Sequence, residues 1–389
     1  MPDEQIEFEI VRDNDALSAL RDDWQRLWEL SADSYYVLSF PVLWRAWTQV
    51  IAPLGNSLHI VVGRSGGRVV LIWPAMIRAE KLHGFWRVAG WFGRDPIDYG
   101  EVLVEPTAQR DTWMEAALAQ LVSAPGVDFL ALESVRGDSN VYGVLEGACR
   151  WQVAEDPAPF IDLRGVANGD ELEAKLPKRF RQSMRRRARR LEEIGPLKFE
   201  FEREPGRLEE TIRWIVDRKR EWIDERGIAE GHGLTDEHAT SMIDIIRDGA
   251  KAGHALVSRL SVNDELIAAD VSLLAGNRLY SDYGSFDLGW GKYSPGSLLL
   301  RETIKWAVDN GVEIFDLARG PDDYKIKWSS GKIELTRYLI PCTLRGRIYV
   351  VLRTSPVHKW FRWAKAKLKS RGSASQQGEA QPADATAGQ

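Results

Sequence analysis

Apolar positions along the chain follow two periods, and the order in which these periods occur repeats. Two short apolar runs, Leu58-His-Ile-Val-Val and Val69-Val-Leu-Ile-Trp, flank Gly66-Gly67, which predicts a strand, a tight turn and a second strand. Helical spacing follows over 112–122, and Pro125-Gly-Val-Asp-Phe-Leu-Ala-Leu132 then predicts a helix stop and a short buried strand. The same succession returns later: Ala255-Leu-Val-Ser-Arg-Leu, a turn at Asn263-Asp264, Leu266-Ile-Ala-Ala-Asp-Val-Ser-Leu-Leu274, a helix over 297–308, and Asn310-Gly-Val-Glu-Ile-Phe-Asp-Leu317. A meander of antiparallel strands that passes through a helix to one more strand needs a crossover, and the crossover delivers a parallel neighbour. The expected fold is therefore α/β (α+β), two tandem halves that each carry a mixed, mainly antiparallel sheet flanked by helices.

Between the halves the composition changes. Residues 175–190 hold nine cations and no acid. Pro177 suits a helix start, and Leu176, Phe180, Met184, Ala188 and Leu191 form one apolar stripe at helical spacing. Arginines cover the remaining surface, and Glu171, Glu173, Glu192 and Glu193 flank it closely enough to offset the repulsion. Two further amphipathic helices are expected, one through Leu208, Ile212, Ile215, Val216, Trp222 and Ile223, the other through Ala239, Met242, Ile243 and Ile246. The expected division is a first half over 1–165, a basic linker helix over 166–195, a second half over 196–355, and a basic, aromatic helix with a disordered Ser/Gln/Ala/Gly tail over 356–389. The segment around His358-Lys-Trp-Phe-Arg-Trp suits either a domain cap or peripheral contact with an acidic membrane surface.

Bulk properties narrow the function. A chain of 389 residues exceeds what one core usually organises, and a net charge of −5 creates no whole-molecule field for nucleic acid. Cys149 and Cys342 form neither a disulfide framework nor a C-x-x-C clip, the N-terminus is acidic rather than a leader, and no apolar run reaches the ~18 residues of a membrane span. A cytoplasmic location is expected. The six histidines lack paired-ligand spacing, so no metal is expected, and the P-loop, dinucleotide and nucleophile-elbow patterns are missing. What remains is a polar, glycine-containing stretch after Leu279 that ends in Ser294-Pro-Gly-Ser297, where a helix opens. Such a start presents free backbone N–H groups and a positive helix end to a phosphate or carboxylate. Phe315-Asp-Leu-Ala-Arg-Gly and Tyr324-Lys-Ile-Lys-Trp328 follow the next strand, so both clusters face one cleft at the strand ends.

The Leu176 to Arg187 helix, Tyr283-Gly-Ser-Phe-Asp287, Ser294-Pro-Gly-Ser-Leu-Leu-Leu, Phe315-Asp-Leu-Ala-Arg-Gly and Tyr324-Lys-x-x-Trp328 together resemble the CelD/BcsL-like acetyltransferase domain of the GNAT superfamily. That domain is itself similar to the FemAB aminoacyl transferases. The resemblance implies tandem GNAT-like halves with the working site in the second, acetyl-CoA or another acyl-CoA held between two splayed strands, and an amine acceptor, small-molecule or saccharide, connected with the cell envelope or a polysaccharide. Where that fold usually carries Arg/Gln-x-x-Gly-x-Gly/Ala, this chain has Lys292-Tyr-Ser-Pro-Gly-Ser, which leaves two alternatives: an aminoacyl-tRNA donor, or a non-catalytic partner of a polysaccharide synthase. Lys325 is expected to polarise the acyl carbonyl, Tyr324 to protonate the leaving group, and Asp282 or Asp287 to act as base or position the amine. Lys292, Ser294, Gly296 and Ser297 are expected to bind the cofactor, and Arg181, Arg185, Tyr283, Arg319 and Trp328 the substrate. Turn or cap duty for the two aspartates, and surface helix contacts for Lys325 and Tyr324, are the competing readings.

Overall fold

A computed structural model describes residues 6–31, 35–79, 81–82, 84–92, 99–225, 235–320 and 322–354. The basic, aromatic helix and tail expected over 356–389 lie outside the described residues. The first half runs β1 (Glu7–Val11), α1 (Asn14–Ala19), α2 (Arg21–Leu30), α3 (Phe40–Ala46), β2 (Ser57–Leu58), β3 (Ile60–Ser65), β4 (Arg68–Trp73), β5 (Ala75–Ile77), β6 (Val88–Trp91), β7 (Leu103–Val104), α4 (Arg110–Val122), β8 (Phe129–Arg136), α5 (Tyr142–Ala148), β9 (Gln152–Ala154) and β10 (Ala158–Asp162). The second runs α6 (Gly169–Lys175), α7 (Lys178–Glu192), β11 (Leu197–Glu202), α8 (Pro205–Glu225), α9 (Asp236–Ala252), β12 (Ala255–Val262), β13 (Glu265–Ala275), β14 (Arg278–Phe286), α10 (Pro295–Asp309), β15 (Ile314–Asp316), α11 (Asp323–Trp328), β16 (Gly331–Ile333), β17 (Leu335–Pro341) and α12 (Leu344–Thr354).

The expected echo is present in three dimensions. The β3–β4 hairpin turns through Gly66 and Gly67, and the β12–β13 hairpin through Asn263 and Asp264, all four at positive φ as a tight two-residue turn requires. The second half forms one sheet in the order β11-β12-β13-β14-β15-β10-β16, and the first splits into β1-β3-β4-β7 and β2-β5-β6-β8-β17-β9. Each half has one parallel pair, β6 with β8 and β14 with β15, reached through a crossover that contains α4 or α10.

The two plans differ from independent copies in one respect. β10, which ends the first half, lies between β15 and β16 of the second, and β17, which follows β16, lies between β8 and β9 of the first. Each half lends the other a strand, so neither sheet is complete alone. The apolar packing follows the same logic: one cluster joins Trp24, Leu27, Phe40 and Ile60 to Val257, Val271 and Tyr280.

Polar groups also cross the seam. Asp316, at 0% exposure, accepts hydrogen bonds from the hydroxyls of Tyr35 and Tyr99, the latter at 3.2 Å, and from the Ala318 amide at 2.8 Å. Arg278 stands 3.9 Å from it and 3.1 Å from Asp138, which Arg136 also binds at 2.7 Å. The Arg136 guanidinium lies 4.7 Å above the Tyr35 ring. Burial pushes the Asp316 carboxyl up, and the Tyr35 hydrogen bond and the Arg136 charge oppose it. Removing one partner of a buried charge leaves the others uncompensated, so Asp316→Ala should lower urea stability by about 3–5 kcal/mol, and Tyr35→Phe by about 1–3 kcal/mol. Both should shift a single unfolding transition. Two separate transitions, or losses typical of surface substitutions, would show that this network does not tie the halves together.

Candidate functional site

β14 and β15 pair at only three positions, Arg278↔Ile314, Leu279↔Phe315 and Tyr280↔Asp316. β14 then continues to Phe286, whereas the chain after Asp316 turns away through Ala318, whose φ is +61°. The two strands splay, with Asp316 at the last paired position. At the far end of β14 the chain makes a six-residue 3-10 helix and enters α10 through Ser294, held at a left-handed φ of +51°. Pro295 has no N–H and the Ser297 amide donates to the Ser294 carbonyl, which leaves the Gly296 amide at the helix mouth.

That mouth opens on a cleft of ≈ 540 Å³ lined by Phe180, Arg187, Ser294, Ser297, Asp322, Asp323, Tyr324 and Lys327. The six residues of α11 divide between two surroundings. Lys325 and Trp328 point into the protein and are buried, while Tyr324 and Lys327 line the cleft. Lys325 Nζ donates to the carbonyls of Arg319 at 3.0 Å and Ala318 at 3.4 Å, so it pins the loop that leaves β15.

A second polar group lies deeper, on β13. Asp270 stands opposite Gly284 in the β13–β14 ladder, where a Cβ on residue 284 would come within 2.3 Å of its Oδ1. Only glycine leaves room for the carboxylate. Ser272 and Ser281 donate to it at 2.9 Å and 3.2 Å. Burial pushes the Asp270 carboxyl up to about 6, against the pull of these hydroxyls and of the Lys219 and Lys325 charges. Lys219, on α8, sits 3.7 Å over the ring of Tyr283. The Tyr283 hydroxyl is buried with no hydrogen-bond partner among the described residues, and burial, then the Asp282 charge, push its pKa up and keep the phenol protonated. Tyr324 is 42% exposed as a whole residue, yet burial, then the Asp270 and Asp322 charges, hold its phenol protonated.

The structure thus brings Ser294, Ser297 and Tyr324 to one cleft, with Gly296 between the two serines in the chain and Lys292 just before them, 5.0 Å over the Tyr293 ring. Other expected site residues are engaged elsewhere. Asp287 caps the 3-10 turn by accepting from Gly289 at 2.7 Å and pairs with Arg218. Trp328 is 4% exposed and packs edge-on against Phe180. Arg185 binds Glu173, and Arg319 reaches Ser134 in the first half. Arg181 is partly buried on α7, with its Nε unpartnered among the described residues, and Asp282 is the extra residue at a bulge in β14. Asp270, Lys219 and Arg187 had not been singled out. Asp270 had a signal: a carboxylate inside an apolar strand, two residues before Ser272.

In the first half the matching gap between the strands is filled, while a cleft of ≈ 480 Å³ lies ahead of α4, lined in part by Glu105, Thr107 and Gln109. After Gly90↔Ala131, the last β6–β8 pair, the Trp91 indole donates to the Glu133 carbonyl at 2.9 Å and its ring stacks on Trp73. Glu105, ahead of α4, is held by Arg26 at 2.6 Å and Arg68 at 2.7 Å, which puts an acid where the second half has Ser294 and Ser297. No group of three or more His, Cys, Asp or Glu side chains that could hold a metal occurs among the described residues, and none of their helices is long and apolar enough to cross a membrane.

Residues 178–326 match the family model of an acetyltransferase (GNAT) domain. No curated protein sequence matches the chain. Among solved structures, FemX is similar with a TM-score of 0.55 at 10% identity, over 88% of this chain and 99% of that one. A conserved protein of unknown function from Bacteroides thetaiotaomicron VPI-5482 gives 0.54 at 13% identity, over 85% and 100%. Identities this low establish the shared fold.

The Asp270 environment makes a prediction that needs no substrate. Folding raises its pKa from 3.8 to about 6, so the folded chain holds that proton more tightly than the unfolded one. The stability this adds is complete below about pH 4 and is lost as pH rises through about 6. Asp270→Asn should flatten the stability profile across that window and melt higher than wild type above it. An unchanged slope in the variant would remove the basis for a perturbed carboxylate.

Proposed function

We propose, from a GNAT-type acyltransferase domain over residues 178–326, that the second half transfers an acetyl group from acetyl-CoA to an amine in the cytoplasm, with an amino-sugar or another envelope- or polysaccharide-related molecule as acceptor. The observation that carries the proposal is the β14–β15 splay, with the start of α10 at one end and the Asp270 carboxylate on the neighbouring strand. The residues lining the cleft fit a pyrophosphate: the Ser294 and Ser297 hydroxyls and the Arg187 and Lys327 cations, with the Gly296 amide between the two serines and Lys292 just before them in the chain. The first half has Trp91 and Glu105 at the corresponding places, which supports a single site.

Acyl transfer needs a base for the amine, an acid for the departing sulfur, and alignment of both substrates. Asp270, with its carboxyl near 6, takes the proton from the acceptor's ammonium at neutral pH. The freed amine nitrogen bonds to the acyl carbon as the carbon–sulfur bond breaks; Tyr324 gives its proton to the sulfur, and the second proton that the nitrogen sheds on becoming an amide returns to Tyr324, so coenzyme A leaves as the thiol and the phenol is restored. Lys325 fixes the loop that forms one wall and adds positive potential near the developing oxyanion. Tyr283 and Asp282 face the acceptor on the α8 side. A second reading, aminoacyl transfer from tRNA, draws on the exposed arginines of α7, because Arg187 lines the same cleft.

Calorimetry with acetyl-CoA should give one site per chain, lost in Gly296→Asp. Two equal sites, or none at millimolar ligand, would sink the proposal. With an acceptor in hand, Asp270→Asn should lower kcat by about 10²–10⁴ while leaving acetyl-CoA binding intact, and it should erase an ascending limb near pH 6. Binding of charged tRNA in place of acetyl-CoA, weakened by replacing Arg181, Arg185 and Arg186 with Gln, would favour the second reading.

A further inference from the structure

The last described helix has two apolar faces, and among the described residues only one of them is packed. Val350 is fully buried against β8 and β17, and Gly346 lies so close to the Asp128 carbonyl that a Cβ would stand 1.8 Å from it. On the opposite side Leu344, Ile348, Val351 and Leu352 recur at helical spacing, each between 45% and 77% exposed. Phe85, 65% exposed, extends this stripe: Arg345 donates to the Phe85 carbonyl, and neighbouring Trp86 packs on Tyr349 with ring centroids 4.7 Å apart. Scattered exposed apolar residues are ordinary, whereas a stripe on one helix joined by an aromatic from another segment is a surface with an occupant.

The charges next to the stripe in the sequence say which. Arg345, Arg347 and Arg353 alternate with the apolar residues, and the chain from Leu344 to Arg371 contains no aspartate or glutamate. That stretch adds Lys359, Arg362, Lys365, Lys367, Lys369 and Arg371, in a protein whose net charge is −5. We propose that the outer face of α12, together with Phe85, docks on an anionic lipid bilayer. Aliphatic side chains enter the acyl boundary while the arginines stay at the headgroup phosphates. A protein partner would be expected to bring its own acids to these cations. RNA would use the cations but gain little from Leu344, Ile348 and Leu352, because nucleic acids reward stacking rings and positive charge over aliphatic surface.

The test uses the full-length protein and sedimentation with vesicles. Capture is expected with phosphatidylcholine vesicles enriched in phosphatidylglycerol and equally with ones enriched in phosphatidylserine, little with phosphatidylcholine alone, and less as salt rises. Ile348→Asp with Leu352→Asp, and separately Phe85→Asp, should lower partitioning by about tenfold or more. Their circular dichroism and thermal midpoint should match wild type. Because Phe85 belongs to a different segment, it keeps the test open if the helix variant misfolds. Absence of capture at low salt, capture by only one anionic headgroup, or capture that survives both variants would overturn the proposal. So would a vesicle signal that disappears on nuclease treatment. None of these outcomes depends on whether acetyl-CoA is the donor.

Discussion

A carboxylate with no exposure to water is tolerated only where its surroundings supply the hydrogen bonds and charge that water would have supplied. Asp316 is such a group, and it sits where β14 and β15 make their last pair before separating. Its partners Tyr35 and Tyr99 come from the first half, as do Asp138 and Arg136, which are linked to it through Arg278. The opening of the strands is therefore held in place by residues that lie well before position 178. The first half, whose own opening is filled by Trp91, still fixes the geometry of the cleft in the second half.

The same dependence explains how much of this molecule can be read from its sequence. Turn chemistry at Gly66-Gly67 and Asn263-Asp264, and glycine stops at Gly126 and Gly311, mark local backbone conformation, so the order of elements and the repeated plan were legible. The exchange of β10 and β17 was not, because an apolar strand advertises that it will pair without naming its partner. At the site, Ser294-Pro-Gly-Ser297 was legible for the same local reason, and the structure places it on a cleft. Asp270 was missed because one acid in an apolar strand is visible only when its facing residue is known, and Gly284 lies on another strand. Asp287, conversely, stands in a motif that reads as functional and caps a turn.

α11 shows how closely structure and chemistry are interleaved here. Tyr324 and Lys325 are adjacent, yet one lines the cleft and the other is tied to the carbonyls of the loop that forms its wall. Their opposite environments come from one turn of helix laid over a loop whose Ala318 takes a left-handed conformation. Trp328, on the inner face with Lys325, anchors that turn under α7, so the basic helix and the cleft-lining turn are supported by one buried aromatic contact.

The exchanged strands also bear on how the polypeptide is made. A ribosome releases β8 and β9 long before it releases β17, the strand that lies between them. Until then β8 has one unpaired edge and β9 has no strand to join, and edges of that kind invite pairing with other chains. β10 emerges early but has no β15 to join. Completion of both sheets is thus deferred until β17 has emerged, which ties the two halves together in folding although the sequence reads as two copies.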